Sequence, residues 1–335
     1  MKTSASWTSR AGSAWPAYLA TLIVVVAAVY AFAPRSHPPA PETKVHPKDL
    51  LVNGLARQGS RVLAVGEQGH ILIADAPEGP WRAAKVTPDH GATLTQVAFI
   101  GDKTALAVGH DSVILKSTDA GETWKEVSFD PERSEPLLAV AGPFDGNLFA
   151  IGGFGQFLHS TDNGDTWTRQ THETLGDRHL NAMVKMSDNS LLIAGERGLM
   201  ALSCDNGRSW EPLKEIYPGS FFGALALPDG GLLVYGMRGN AFMSHDLGQT
   251  FTKATLPGPI ALFGATVDED GAIILVGENN AVLKSTDRGA TFQSVFDGER
   301  KRFVAILPEG KKGWLLAGEG GVAFKQPTGA AGGQS

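Results

Sequence analysis

The sequence predicts an all-β protein, a seven-bladed β-propeller of four-stranded antiparallel blades with Asp-box hairpins, preceded by one N-terminal transmembrane helix. Two observations predict the propeller. An apolar segment ending in glycine recurs at intervals of 41 or 43 residues, and an eight-residue turn motif follows five of these segments. Repeats of roughly 40–50 residues that contain several short strands are typical of propeller blades. A third observation, the uncharged run at residues 15–33, predicts the helix.

Seven repeats are counted from the glycine that ends the second strand of each. These glycines are Gly66, Gly109, Gly152, Gly195, Gly236, Gly277 and Gly318. In the second repeat the apolar pattern predicts strands at 94–100, 104–108, 113–117 and 124–128, from the innermost to the outermost. The seventh repeat offers only three such segments, at 303–307, 314–317 and 322–325, so we expect it to lack an outer strand.

The turn motif reads S-x-D-x-G-x-[TS]-[WF], the pattern known as the Asp-box. An aspartate in a turn accepts hydrogen bonds from nearby backbone N–H groups, and the glycine permits a positive φ. Because each copy lies on a different blade, the aspartates cannot converge on one ion. We therefore expect them to stabilise turns, not to hold a metal or to catalyse. They are Asp119, Asp162, Asp205, Asp246 and Asp287.

The N-terminal part divides into three predicted segments. Residues 1–14 carry Lys2 and Arg10 and are expected in the cytoplasm, residues 15–33 form a transmembrane signal anchor, and residues 34–47 form a proline-rich spacer. This arrangement places the propeller, residues 48–326, in the periplasm and tethers it to the inner membrane. The alternative is a cleaved signal peptide that releases a secreted propeller. Residues 327–335 are expected to be a disordered tail.

The open edge of the seventh blade needs a partner, since an unpaired edge strand invites aggregation. We predict that residues 42–46 of the spacer pair there and close the ring. The alternative is that this segment is only a linker.

Composition excludes several functional classes. A net charge of −6 and a pI near 5.9 give no basic surface for nucleic acid. The single cysteine, Cys204, cannot form a disulfide within the chain and is expected to be a small buried side chain. No metal-binding spacing occurs, and no cofactor is predicted.

Enzyme activity has to be weighed because Asp-boxes also occur in bacterial neuraminidases. Glycoside hydrolysis needs paired acidic groups or, in sialidases, a tyrosine nucleophile. Outside residues 15–33 the chain has only Tyr217 and Tyr235, and Tyr235 lies in a second strand where packing is expected. The sequence therefore predicts a protein that is not an enzyme, with a glycan-binding or sialidase-like glycoside hydrolase propeller as the alternative.

Loops on one end of the propeller are more variable than the boxes at the other end, and variable loops on a rigid scaffold commonly carry function. They hold arginines and aromatic residues, the types favoured at protein interfaces. A solvated rim of mixed charge is the alternative, because Glu173, Asp177 and Glu196 lie close by in the sequence. The predicted partner-binding residues are Arg178, Arg197, Arg238, Arg300, Arg302, Phe221 and Phe222.

The repeats from Gly109 to Trp124 onward, with the turn Gly195–Glu196–Arg197–Gly198, resemble the photosystem II assembly and stability factor family of seven-bladed propellers. That resemblance covers about residues 50–326 and implies a non-enzymatic protein that binds a membrane subunit through an arginine-rich face. Similar propellers in non-photosynthetic bacteria are often found beside resistance–nodulation–division (RND) type exporters. The resemblance therefore implies a membrane-protein partner, with an RND-type transporter as the candidate.

Overall fold

The computed structural model describes residues 15–32, 50–296, 300–310 and 312–326, with the side chains of residues 31 and 32 left aside. Three predicted segments lie outside these residues. They are the N-terminal segment 1–14, the spacer 34–47 with its predicted closing strand at 42–46, and the tail 327–335.

One α-helix, α1, spans Trp15–Phe32, which confirms the predicted helix at this place. Its side chains from residue 15 to residue 30 are exposed. Within the described residues, no helix combines the length and the apolar character needed to cross a membrane. Eighteen residues extend about 27 Å at 1.5 Å per residue, against roughly 30 Å of hydrocarbon. The assignment of this helix as a membrane span is therefore not confirmed.

The described residues of the segment 50–326 form seven sheets, one for each blade, and within each blade the strands follow one another from the inner to the outer position in antiparallel pairs. The first blade contains β1 (Val52–Gln58), β2 (Arg61–Gly66), β3 (Ile71–Ala74) and β4 (Arg82–Ala83). The second blade follows the short strand β5 (Lys85–Thr87) and contains β6 (Leu94–Phe99), β7 (Ala105–Gly109), β8 (Ile114–Ser117) and β9 (Thr123–Ser128). The third blade contains β10 (Leu137–Phe144), β11 (Asn147–Gly152), β12 (Phe157–Ser160) and β13 (Thr168–Arg169). In the second blade β5 pairs in parallel with β9 as a fifth strand, outside the repeat of four.

The remaining four blades follow the same order. The fourth blade contains β14 (Leu180–Lys185), β15 (Leu191–Gly195), β16 (Met200–Ser203) and β17 (Glu211–Pro212), and the fifth contains β18 (Phe221–Ala226), β19 (Leu232–Gly236), β20 (Ala241–Ser244) and β21 (Thr252–Lys253). The sixth blade contains β22 (Leu262–Val267), β23 (Ile273–Gly277), β24 (Val282–Ser285) and β25 (Gln293–Ser294). The seventh contains β26 (Phe303–Pro308), β27 (Trp314–Gly318) and β28 (Gly321–Lys325).

The seven-bladed all-β fold with four-stranded antiparallel blades is confirmed. In the second blade the predicted strand ends agree with the observed ones to within about one residue. The seventh sheet has three strands in the part of the chain that the structure describes, as predicted from the three apolar segments of the seventh repeat.

The core lies between neighbouring blades, since each sheet is covered on both faces. Every residue of β7, β15, β19, β23 and β27 is buried, so the second strands are continuous apolar runs ending in glycine. Aromatic rings fill the space between the third and fourth blades, where Phe157 lies edge-on to Trp210 with ring centroids 6.1 Å apart. Burial on both faces explains why these strands show no alternation of polar and apolar residues.

The first blade packs against the last, and this contact closes the ring within the described residues. Val52 and Ala64 of the first blade form one apolar cluster with Ala317 of the seventh. Beside it the Arg57 guanidinium lies 2.6 Å from the Glu309 carboxylate, whose side chain is only 7% exposed, and it also donates to the Pro308 carbonyl at 3.1 Å. A charge-assisted pair between chain segments about 250 residues apart therefore holds the two ends of the ring together.

Candidate functional site

The two ends of the blades carry different structures. Because successive strands run antiparallel, the turns between second and third strands lie at the same end as the connections between blades. We call this end the loop face. The Asp-boxes, between third and fourth strands, lie at the opposite end, which we call the box face.

The loop-face turns repeat one backbone geometry. After the glycine that ends the second strand, the second residue of the turn has a left-handed conformation in six blades, and so does the third. The second residues are Gln68 (φ 54°), Asp111 (55°), Phe154 (55°), Arg197 (52°), Arg238 (55°) and Asn279 (53°). In the seventh blade the turn is shorter and Gly320 has φ 83°.

This geometry directs the N–H of the third turn residue at the connection to the next blade. Ser112 donates to the Glu135 carbonyl at 2.9 Å, Gly155 to the Arg178 carbonyl at 2.9 Å, Gly198 to the Gly219 carbonyl at 2.8 Å and Gly239 to the Ile260 carbonyl at 2.6 Å. In each of these four blades a backbone hydrogen bond thus fastens the turn to its connection, and in the second blade the Ser112 hydroxyl also donates to the Glu135 carbonyl and the Ser134 hydroxyl to Asp111. The side chain of the second residue takes no part in this backbone bond, and it is exposed in five of the six blades, whereas Asp111 is half-buried.

On three consecutive blades the side chain at this second turn position is aromatic or cationic. Phe154, Arg197 and Arg238 occupy the second turn position of blades three, four and five, and all three are exposed. Blades one, two and six have Gln68, Asp111 and Asn279 instead. The loop face is therefore chemically one-sided although its backbone repeats.

The glutamates beside these turns are engaged with the backbone. In four blades the first turn residue is a glutamate whose carboxylate accepts the N–H of the residue immediately before the inner strand. The pairs are Glu67 with Leu51 (3.0 Å), Glu196 with His179 (3.2 Å), Glu278 with Ala261 (3.4 Å) and Glu319 with Arg302 (3.3 Å). Arg197 lies 3.6 Å from Glu196 and remains 67% exposed. Its charge is thus only weakly compensated within the molecule.

Two of the predicted partner-binding residues have structural contacts. Phe221 is fully buried and packs edge-on against Phe242, so its side chain is not available for docking. It begins an inner strand, where the first residue of each blade is buried. Arg178 is half-buried and donates to the Thr174 and Leu175 carbonyls at 2.8 and 3.2 Å, which holds the connection before the fourth blade in place.

Phe222 and Arg302 both lie against the ring of Phe263. Phe222 is half-buried and stacks on Phe263 with ring centroids 5.4 Å apart, and the Arg302 guanidinium lies 6.0 Å from the centre of the Phe263 ring. Arg302 also pairs with Glu319 at 3.2 Å. Arg302 is therefore partly neutralised.

Arg300 lines an open cleft between the sixth and seventh blades. The cleft has a volume of about 290 Å³ and is bordered by Glu278, Asn279, Arg300, Lys301, Arg302 and Glu319. Of the residues predicted to form one patch, Arg197 and Arg238 occupy equivalent turns on adjacent blades. Arg300 and Arg302 belong to this separate cleft.

Phe154 was missed by the sequence reasoning. It is 62% exposed and lies edge-on to His179, with ring centroids 5.1 Å apart. The signal was present, because Gly152–Gly153–Phe154–Gly155 aligns with Gly195–Glu196–Arg197–Gly198, which places Phe154 at the turn position of Arg197.

On the box face, each aspartate of the five complete boxes is engaged by its own turn. Asp246 accepts the Thr250 backbone N–H at 2.8 Å and the hydroxyls of Thr250 and Ser244. These bonds, led by the threonine hydroxyl, lower the pKa of Asp246 to about 2, and equivalent bonds lower the pKa values of Asp205 and Asp287 to about 2. Within the described residues no group of three His, Cys, Asp or Glu side chains is placed to hold a metal ion.

Cys204, predicted to be buried, is exposed. It occupies the second position of the box in the fourth blade, where the side chain lies outside the hydrogen-bonded turn. The prediction that it fills the core was wrong.

A second cleft, of about 170 Å³, lies on the box face between the third and fourth blades. His159 stacks on Phe149 at 5.1 Å, with Asn147 Oδ1 2.7 Å from one ring nitrogen and Gln170 Nε2 3.2 Å from the other. Burial lowers the pKa of His159, which favours the neutral ring. A neutral ring with two amide partners, in a cleft that Arg208 also lines, could hold a small polar ligand.

Neither tyrosine of the propeller resembles an activated nucleophile. Tyr235 is buried in β19, and burial raises the pKa of its hydroxyl, so it stays protonated. Tyr217 is half-buried and lies edge-on to Phe221 at 6.0 Å. Both rings have packing contacts.

Comparison with known families gives one match. The profile of the family described as photosynthesis system II assembly factor YCF48 matches residues 73–256, more than half of the chain. No curated protein matches the chain.

Several solved structures share the fold. YCF48 bound to a D1 peptide is 17% identical with a TM-score of 0.68, covering 88% of this chain and 100% of that one. YCF48 from Cyanidioschyzon merolae is 15% identical with a TM-score of 0.66, covering 83% and 95%. The selenomethionine-substituted virginiamycin B lyase of Staphylococcus aureus is 13% identical with a TM-score of 0.69, covering 82% and 94%. At these identities the similarity extends to the fold alone.

Proposed function

The chain belongs to the photosynthesis system II assembly factor YCF48 family, and on this premise we propose that it is a non-catalytic assembly or accessory factor that binds a partner protein through its loop face. The observation that carries the proposal is the exposed arginine pair, Arg197 and Arg238, on equivalent turns of adjacent blades. A structural relative was solved with a bound peptide, which is consistent with a protein ligand for this fold. The uniform boxes on the opposite face are engaged in their own turns and serve as scaffold.

The proposed partner is a membrane protein complex, with an RND-type transporter as the candidate. This choice rests on the resemblance to propellers found beside such exporters, and it goes beyond the family match. Blue-native electrophoresis of solubilised membranes tests it, because a transporter partner would move the chain into a complex that contains the transporter.

We place the propeller in the periplasm, at the inner membrane, with secretion after signal cleavage as the alternative. The support is the exposed apolar sequence of α1, the basic residues Lys2 and Arg10 before it, and the absence of acidic residues before Glu42 in the sequence. Cell fractionation and the mass of the mature chain separate these possibilities. A propeller found only in the cytoplasm would contradict both.

The binding proposal is tested by pull-down from solubilised membranes with Arg197→Glu and Arg238→Glu. Arg208→Glu is the matched control, because Arg208 is an exposed arginine on the box face. We expect the loop-face variants to lose a specific partner that wild type and the control retain. Equal recovery of the same partners by all variants would contradict docking through this surface.

The alternative function is that of a glycan-binding or sialidase-like glycoside hydrolase propeller, and the box-face cleft at His159 is the observation that favours it. A glycan array and a panel of fluorogenic glycosides test this alternative. Binding that is lost in His159→Ala, or turnover of any glycoside, would replace the non-catalytic proposal.

A further inference from the structure

The strongest unexplained feature of the loop face is the choice of residues at a strained backbone position. The second turn residue has φ between 52° and 55° in six blades. Asparagine and aspartate tolerate this region, whereas a phenylalanine there is an outlier. Blades two and six use Asp111 and Asn279, but blade three uses Phe154. A strained conformation with an unsuitable residue points to selection for the side chain itself.

Phe154 is also unusual in its exposure. Among residues 50–296, 300–310 and 312–326 it is the one large apolar side chain in the exposed class, at 62%. Its edge contact with His179 leaves most of the ring accessible. Exposed aromatic rings on a rigid surface are common anchors of protein interfaces.

The next two blades add positive charge at the same turn position. Arg197 has a single carboxylate at 3.6 Å, and that carboxylate is already bound to the His179 N–H. Arg238 has no ion-pair partner among the described residues. Phe154, Arg197 and Arg238 therefore form an arc over blades three to five with one apolar and two cationic positions.

Carboxylates flank the arc on the inter-blade connections. Glu173 and Asp177 lie between blades three and four, and Glu215 lies between blades four and five, and all three are exposed. A continuous anionic surface such as a bilayer would meet these groups as well as the arginines. A narrow acidic chain segment can contact the turns and avoid the connections, so the charge pattern favours a protein segment over a membrane.

We propose that the arc binds an extended segment of a partner protein that places one large apolar side chain on Phe154 and carboxylates on Arg197 and Arg238. This inference rests on the proposed protein-binding function and specifies the partner's chemistry. Charge complementarity sets its salt dependence, since the two arginines are solvent-exposed.

The test is selection of a random twelve-residue peptide library on the full-length protein. The expected winners contain one aromatic or large aliphatic residue and at least two Asp or Glu residues. The best peptide is then measured by fluorescence anisotropy on variants. We expect Phe154→Asn to weaken binding at least tenfold, and Arg197→Asn and Arg238→Asn to weaken it about three- to tenfold each.

The matched controls introduce asparagine at the equivalent turn position of other blades. Gln68→Asn and Asp111→Asn should change the affinity by less than twofold. Asparagine suits the left-handed conformation, so these variants should all fold, and circular dichroism checks that they do. Winners without acidic residues, or equal losses at positions 68 and 154, would overturn the inference.

Two further outcomes separate this inference from the broader function. A partner whose pull-down depends on Arg300 and Arg302 but not on the arc would refute the arc and leave protein binding intact. Arc-dependent binding to phosphatidylglycerol vesicles, with no acidic–apolar peptide selected, would instead identify a membrane surface as the ligand and overturn the proposal.

Discussion

Replacing Arg238 in the loop-face turn of the fifth blade should stabilise the fold, whereas most substitutions destabilise a protein. Arg238 has φ 55° and an exposed side chain, and no described residue forms an ion pair with it. Blade six has Asn279 at the same position with φ 53°. Arg238→Asn therefore copies a residue that the propeller already uses in this turn.

The magnitude follows from the backbone. The left-handed region costs a residue with a Cβ atom about 1–2 kcal/mol, and asparagine recovers part of this. Because no ion pair is lost, we expect the free energy of unfolding to rise by about 0.5–1 kcal/mol. For a domain of this size that corresponds to a rise in Tm of about 1–4 °C. Arg197→Asn should add a similar amount, since the turns lie on separate blades.

Differential scanning calorimetry and urea unfolding measure the effect. Arg208→Asn is the control, because Arg208 is an exposed arginine of the box face whose φ is not in the left-handed region. It should leave Tm unchanged or slightly lower. A Tm for Arg238→Asn at or below that of the control would refute the view that the loop face retains strained residues for binding.

Three further predictions concern the scaffold. Arg57→Met should lower the free energy of unfolding in urea by about 1.5–3 kcal/mol, because it leaves the buried carboxylate of Glu309 unpaired. Replacing Glu309 with Met as well should recover most of this loss. A double variant no more stable than Arg57→Met would argue against this pair as the contact that closes the ring. The pKa of Asp246 is held at about 2, below its ordinary value of 3.8, so the stability it contributes is present above about pH 4 and is lost as pH falls toward 2. Asp246→Asn should therefore flatten the dependence of stability on pH between 4 and 2, and a curve parallel to that of wild type would show that its bonds contribute nothing. Gly207→Ala should lower the free energy of unfolding by about 1–3 kcal/mol, because its Cβ would lie 2.8 Å from the Phe149 ring. Gly271 has a similar positive φ with open space around it, so Gly271→Ala should lower the free energy of unfolding by less. Equal losses in the two variants would mean that the positive φ alone sets the effect.

The blades were predictable because local residue types determine them. The glycines at 41- or 43-residue intervals end continuous apolar strands, and the Ser, Asp, Gly and Thr of each box form their hydrogen bonds within eight residues. The three-stranded seventh sheet of the described residues could also be predicted, because the seventh repeat shows only three apolar segments.

The site was less predictable because exposure depends on the neighbouring blade. Phe221 and Phe222 are adjacent in the sequence, yet the first is core and the second lies beside Phe263 of the following blade. The Arg57–Glu309 pair joins residues about 250 positions apart, which no local pattern indicates. Phe154 could have been found by aligning the turns of the repeats, a comparison that uses turn geometry instead of residue type.

The loop face is assigned to partner binding and the box face to scaffolding. Photo-crosslinking in living cells tests this assignment directly, with p-benzoylphenylalanine at position 154 or at position 208. The aromatic replacement at 154 keeps a ring where Phe154 already has one, and Arg208 is exposed on the opposite face. We expect one specific protein adduct from position 154, weakened by Arg238→Glu, and none from position 208. An adduct from position 208 with none from position 154 would contradict the assignment of partner binding to the loop face.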